Sequence, residues 1–406
     1  MTLTADAFPA HRADAPGRPA TGGVRLRDPR LDFFRGIAMF IIFIAHVPGN
    51  RFTGWIPARF GFSDATEIFV FASGMASAIA FGTVFDRAGW RLGTVRVGFR
   101  VWQVYWAHIG LFLACATFLT ALDQTGAFDK VYIGTLNLWK FFRDDPGPLL
   151  VGLMTLTYVP NYFDILPMYL VILAMIPVIM GLARIHPGMA GIAVICVWAL
   201  AQGRAWSWGG INLPAEPWSD RRWFFNPFGW QLAFFTGFAF MRGWLPAPPV
   251  RAWLVLLAAL IVVANLPLSD VGIREFGQSW ARTWRADNGL LVSKSDFGIL
   301  RYVHFLALAY LAWVAAGPGG RALSSAGMPR VWRRVVAIVS KVGQQSLAVF
   351  LFSMFWARVT GLGLDIAGRS APTTVMANAL GFVLIVAVAY VVAWIKGQPW
   401  RRPRAG

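Results

Sequence analysis

"RGIAMFIIFIAH", residues 35–46, is an apolar run with an arginine at one end and a histidine at the other. Both side chains are costly in hydrocarbon, so ionisable residues in such a run mark functional positions. They are eleven residues apart. At ~100° per residue the two fall within ~20° of the same helix face, separated by ~16 Å along the axis. Read as a helix, the run is a polar stripe on an otherwise apolar membrane span.

The rest of the chain supports a membrane reading. Of its 406 residues, 57% are hydrophobic and 14% charged, against roughly 25% charged in a soluble domain; the mean hydropathy is +0.55. Apolar runs near the ~20 residues needed to cross a bilayer recur throughout. Ten spans are expected, at 31–48, 65–85, 98–122, 164–183, 190–205, 228–244, 251–267, 298–316, 337–360 and 376–396. Residues 148–159 are too short to cross and read as an interfacial or re-entrant segment. The expected fold class is thus all-α, a polytopic transmembrane bundle over 31–396. Residues 1–30, rich in Ala, Pro, Gly and Arg without a signal-peptide core, read as a disordered tail. Residues 397–406 form a short basic tail.

The formal net charge of +18 would suggest nucleic acid in a soluble protein. Here the cations concentrate in the N-terminal tail, in the short segments 86–97, 184–189, 242–251 and 317–336, and at the C-terminus, so they read as topogenic charge. Both termini are then cytoplasmic, and the long loops 123–163, 206–227 and 268–297 face the other side. No nucleic-acid partner is expected. Cys115 and Cys196 lie in apolar runs and suggest neither a disulfide nor a metal site. No metal is expected.

With this orientation Arg35 lies near the inner mouth and His46 in the outer half. Arg35 alone fits a snorkelling cation, and a lone histidine fits a packing residue. The other spans add partners at both depths. Arg96 and Arg100 enter span 3 from inside, one turn apart, and Lys341, Gln344 and Gln345 enter span 9, forming a cationic inner belt with Arg35. Glu67 enters span 2 from outside, and Arg301 and His304 enter span 8, preceded by Lys294 and Asp296. A phosphate-bearing thioester donor would anchor its head on Arg35, Arg96, Arg100 and Lys341 and run its arm along the stripe. His46, oriented by Glu67, would take a proton from an alcohol, and Arg301 or a neighbouring donor would stabilise the oxyanion. Ser73, Lys294, Asp296, Arg301, His304 and Gln345 are the candidate contacts for the acyl group, the oxyanion or the acceptor.

The tryptophan-rich loops, "GRAWSWGGINLPAEPWSDRRWFFNPFGW" (203–230) and "GQSWARTWRADNG" (277–289), fit an interfacial aromatic belt or a platform on which sugar faces stack.

The sequence resembles the OpgC-type glucan succinyltransferases, within the acyltransferase 3 class of membrane acyltransferases. The resemblance rests on "RLDFFRGIAMFIIFIAH", "DATEIFVFASG", "RVGFRVWQVYWAH", "LRYVHFLALAY" and "VGQQSLAVFLFS", and covers about residues 28–395. It implies a multi-pass protein of the bacterial inner membrane. It also implies that acyl-CoA, specifically succinyl-CoA, donates to a periplasmic glucan, with His46 catalytic and Arg35 supporting the donor. No tightly bound cofactor is called for. The residues themselves fit succinyl and acetyl alike, direct transfer or an acyl-histidine, and leave oligomeric state open. The competing reading is a glycan or solute transporter or flippase, suggested by midplane charges and by Pro167 and Pro177 in span 4.

Overall fold

The computed structural model describes residues 28–143, 145–203, 209–324 and 327–401. The expected N-terminal tail, apart from residues 28–30, and residues 402–406 lie outside them. Among the described residues the regular secondary structure is helical, with one isolated bridge between Pro214 and Arg222. In chain order the helices are α1 (Pro29–His46), α2 (Ala65–Ser77), α3 (Thr83–Gln124), α4 (Trp139–Arg143), α5 (Pro146–Thr155), α6 (Ile165–Ile185), α7 (Pro187–Ala201) and α8 (Pro227–Arg242). There follow α9 (Ala252–Ala264), α10 (Asp270–Glu275), α11 (Ser279–Asp287), α12 (Ile299–Ala316), α13 (Arg321–Ser324), α14 (Arg330–Gln344), α15 (Ser346–Ala367) and α16 (Ala371–Lys396).

Among the described residues five helical stretches are long and apolar enough to cross a membrane: Ala65–Gln124, Ile165–Ile185, Ile299–Ala316, Ser346–Ala367 and Ala371–Arg401. The first has 60 residues, well beyond the ~20 that one crossing needs. Three shorter helices, α5, α7 and α9, are also apolar. α1 carries Arg30, Asp32 and Arg35 among its 18 residues. The ten residues of α5 cover most of the segment expected to be too short to cross.

Three boundaries differ from the sequence expectation. α1 starts at Pro29, because Asp28 caps it and its carboxylate accepts from the Arg30 backbone N–H at 3.0 Å. Proline at the first helical position needs no amide partner. The expected loop 86–97 is helical: α2 continues through a π-helical turn at Ala78–Gly82 into α3, and the interruption falls at Gly89, φ 81° and ψ 176°. Only glycine takes that conformation readily. The expected ninth span is two helices. Gln345 leaves helical geometry (φ −105°, ψ 27°) between α14 and α15, and its neighbours bond sideways to α1.

α1 sits at the centre of the packing, against α2, α14 and α15. It meets α14 unusually closely. A Cβ on Gly36 would lie 2.0 Å from the Val339 carbonyl oxygen, and one on Gly343 would lie 1.9 Å from that of Asp32. Small residues let two backbones approach this far, which is how helices gain packing energy inside a membrane. Past His46 the chain is fixed to α16, where Asn50 and Asn378 exchange amide hydrogen bonds of 2.9 and 3.1 Å. Both ends of the Arg35–His46 stripe are therefore held.

Gly36→Val should force α1 and α14 apart and destabilise the detergent-solubilised protein by ~1–3 kcal/mol or more, seen as a lower Tm or lost folded yield. Gly98→Ala, where a Cβ would meet nothing within 4 Å, should leave Tm unchanged. Equal behaviour of the two variants would contradict the close crossing.

Candidate active site

His46 is the last residue of α1. Its Nδ1 lies 2.7 Å from the Ile42 carbonyl oxygen, one turn back. A carbonyl only accepts, so Nδ1 carries the proton and donates, and Nε2 keeps its lone pair. The imidazole meets the edge of Tyr162 with centroids 5.3 Å apart. Arg358 of α15 lies 3.9 Å over the same tyrosine ring, and its Nη2 donates to the His46 carbonyl oxygen at 3.3 Å. The Tyr162 hydroxyl donates to the Met354 carbonyl oxygen at 2.5 Å. Tyr162 has φ 89°, a conformation that tyrosine adopts only under constraint. That conformation places its ring between the histidine and the guanidinium.

Next to this group lie two acids and two bases. Asp64 and Glu67 form a reciprocal cap at the start of α2: Thr66 N–H donates to Asp64 at 2.6 Å and Asp64 N–H to Glu67 Oε2 at 2.8 Å. Glu67 Oε1 accepts from Arg301 Nη1 at 2.7 Å, with the side chains 0% and 9% exposed. Lys294 pairs with Asp64. Burial raises the Asp64 carboxyl, but the Lys294 charge and hydrogen bond outweigh it and hold the group well below the usual carboxylate range. The charges of Arg358, Lys294 and Asp64 reach the His46 imidazole. The quartet is balanced, which suits a buried position.

Glu67 is thus bonded to Arg301 and the Asp64 N–H, while the bond at His46 Nδ1 is to the Ile42 carbonyl oxygen. His304 is buried one turn from Arg301, with Nδ1 accepting from Ser63 N–H at 3.3 Å and lying 2.7 Å from Ser63 Oγ. Its Nε2 is buried with no partner. Ser73 is buried on α2. Asp296 stands apart as a structural knot: its carboxylate accepts from Asn226 at 3.1 Å and its carbonyl from Gln202 at 2.6 Å.

At the other end of the stripe, Arg35 Nη2 donates to Ser346 Oγ, at the first residue of α15. Gln344 donates to Asp32 at 3.2 Å, and Gln345 accepts from Lys396 at 2.8 Å. Lys341 lies 5.9 Å from the Tyr390 ring centroid. Arg100 bonds Gln103 at 3.2 Å, and its charge reaches Lys396. Arg96 is exposed and lies 6.0 Å from the Phe99 ring. The structure thus joins Arg35 to Ser346 and Gln345 to Lys396, while Arg96 remains on the surface. Among the described residues no His, Cys, Asp and Glu cluster could hold a metal ion.

Tyr162 and Arg358 are the residues that sequence reasoning missed. Arg358 had a signal, since it is a cation in the apolar run "FLFSMFWARVTG". Tyr162 had none, because a loop residue reaches His46 only through its backbone geometry.

Removing Arg301 strands a buried carboxylate. Arg301→Met should cost about 3–5 kcal/mol in detergent unfolding, and Glu67→Gln combined with Arg301→Met should restore part of it. A single variant as stable as wild type would show the ion pair to be energetically empty.

A family model described as OpgC protein matches residues 27–397. No curated protein and no solved structure matches the chain.

Proposed function

The chain belongs to the OpgC protein family, and from that premise we propose that it is a membrane O-acyltransferase. In this reading it moves an acyl group, succinyl by family resemblance, from cytoplasmic acyl-CoA to a hydroxyl of a periplasmic glucan. The bundle would cross the inner membrane ten times with both termini cytoplasmic. The observation that carries the reading is the state of His46. Its Nδ1–H is fixed on the Ile42 carbonyl, so Nε2 is a basic nitrogen on the same helix as Arg35.

The chemistry follows from the placement. The donor's phosphates would sit on the cationic end with Arg35, Arg100 and Lys341, with Arg96 at its rim. The thioester would lie along α1 toward His46. Nε2 takes the proton from a glucan hydroxyl as that oxygen attacks the thioester carbonyl. The C–O bond forms, the C–S bond breaks, and the imidazolium returns its proton to the CoA sulfur. Arg358 is the closest cation to the histidine and replaces Arg301 as the candidate for stabilising the oxyanion, because Arg301 is committed to Glu67. Glu67, Arg301, Asp64 and Lys294 then set the walls of the centre rather than performing the step. Ser73, His304 and Gln345 remain candidate contacts for the acyl chain, and Asp296 ties its loop to Asn226 and Gln202.

The break at Gln345 and the π-helical turn at Ala78–Gly82 are the features that favour a transporter, where interrupted helices hold the cargo. A transporter moves its cargo chemically unchanged, which separates the two readings.

His46→Ala should reduce acyl transfer by at least about 10²-fold while the protein still purifies as a folded species. Near-normal glucan acylation by this variant would remove His46 from the chemistry. Arg35→Ala should raise the donor KM more than it lowers kcat. An unchanged donor KM with impaired use of the glucan would place Arg35 on the acceptor side instead.

A further inference from the structure

The His46 end of the bundle carries a polar cleft that the acyl-transfer step does not use. It lies among the loops before α6 and α8, a small cleft of about 80 Å³ that opens to solvent. Its walls include Lys140, Tyr158, Asn161, Glu216, Trp218 and Arg221.

Tyr158 is the deepest of these. It is 2% exposed, and its ring stacks on Phe141 at 6.1 Å and tilts against Trp218 at 5.6 Å. Its hydroxyl is buried and has no hydrogen-bond partner. Buried hydroxyls are almost always bonded, so a lone one in the wall of a cleft marks a place where a ligand completes the bond.

Above it the polar groups are rigidly arranged. Arg221 donates through Nε to Glu216 at 3.0 Å, through Nη1 to Asn161 Oδ1 at 2.7 Å and through Nη2 to the Val159 carbonyl oxygen at 2.7 Å. Glu216 also accepts from Ser219 at 2.5 Å. The guanidinium is therefore spent on its own support and neutralised by Glu216, so Arg221 is not available to a ligand. What remains is the Tyr158 hydroxyl, the Asn161 amide nitrogen and the exposed indole of Trp218, with the Lys140 ammonium as the remaining charge in the lining. The exposed Lys140 ammonium lies 4.6 Å from the indole centroid, over the face that a ring would share with it.

A flat aromatic face beside fixed neutral donors and acceptors suits a ring with apolar C–H faces and a rim of hydroxyls. The same segment leads to the reacting centre. Tyr158 and Tyr162 are four residues apart, at most about 14 Å of extended chain, and Tyr162 touches His46. We propose that this cleft binds one pyranose ring of the acceptor glucan and so sets which hydroxyl further along the sugar chain reaches His46. The inference rests on the reading of the protein as a glucan-modifying transferase.

The test uses the full chain in detergent, a gluco-oligosaccharide of defined length and saturation-transfer NMR. Wild type should bind the oligosaccharide. Trp218→Ala and Asn161→Ala, both surface positions, should weaken binding about five- to tenfold, and Trp218→Phe should recover most of the loss. In turnover assays the glucan KM should rise while the donor KM is unchanged. Tyr158→Phe should fold as wild type and also bind the sugar less tightly. Wild type that binds no oligosaccharide, or Trp218 and Asn161 variants that bind it as wild type does, would overturn the cleft assignment. Glucan acylation by such variants would still leave the transferase reading standing. Trp218-dependent sugar binding in a protein that transfers no acyl group would support the cleft and sink the transferase reading.

Discussion

Arg301 donates to Glu67 across 2.7 Å in a setting that admits almost no water, and the acid–base geometry around His46 follows from this bond. A carboxylate so deep needs its cation, and the cation needs the carboxylate. Glu67 also closes the cap of α2, and neither of these bonds involves His46. Lys294 and Asp64 compensate each other beside it. The imidazole is therefore oriented by a backbone carbonyl on its own helix, which fixes the tautomer without adding a charge. Its cationic neighbour comes from α15 through Tyr162. A neutral base beside one cation is a workable arrangement for deprotonating an alcohol and receiving negative charge on a carbonyl oxygen.

The helices carry out the positioning. α1 is the axis, held at one end by its close crossing with α14 and at the other by the Asn50–Asn378 exchange. The break at Gln345 frees the start of α15 to meet Arg35, so the two ends of the polar stripe touch the same partner helix: Ser346 at one end and Arg358 at the other.

Much of this was legible in the sequence, and the gaps have physical causes. The Arg35–His46 spacing gave the stripe because helical periodicity is a local property. Apolar runs placed most helices within a few residues. The pairing of charges was not legible: Glu67 could equally serve His46 or Arg301 until the helices were docked. The break at Gln345 was hidden because "SKVGQQSLAVF" keeps a helical composition and the interruption is stabilised by bonds to α1 and α16. Loop 86–97 was misread because its arginines suggested a loop, although none of them prevents a helix. Tyr162 depends on an unusual backbone angle, and the Trp218 cleft on loop packing; neither leaves a periodic trace.

The most direct measurement is mass spectrometry of glucan incubated with the purified protein and succinyl-CoA or acetyl-CoA. The account predicts glucan heavier by whole acyl groups, with an equal yield of free CoA. Glucan of unchanged mass, in a preparation shown to bind both substrates, would contradict it.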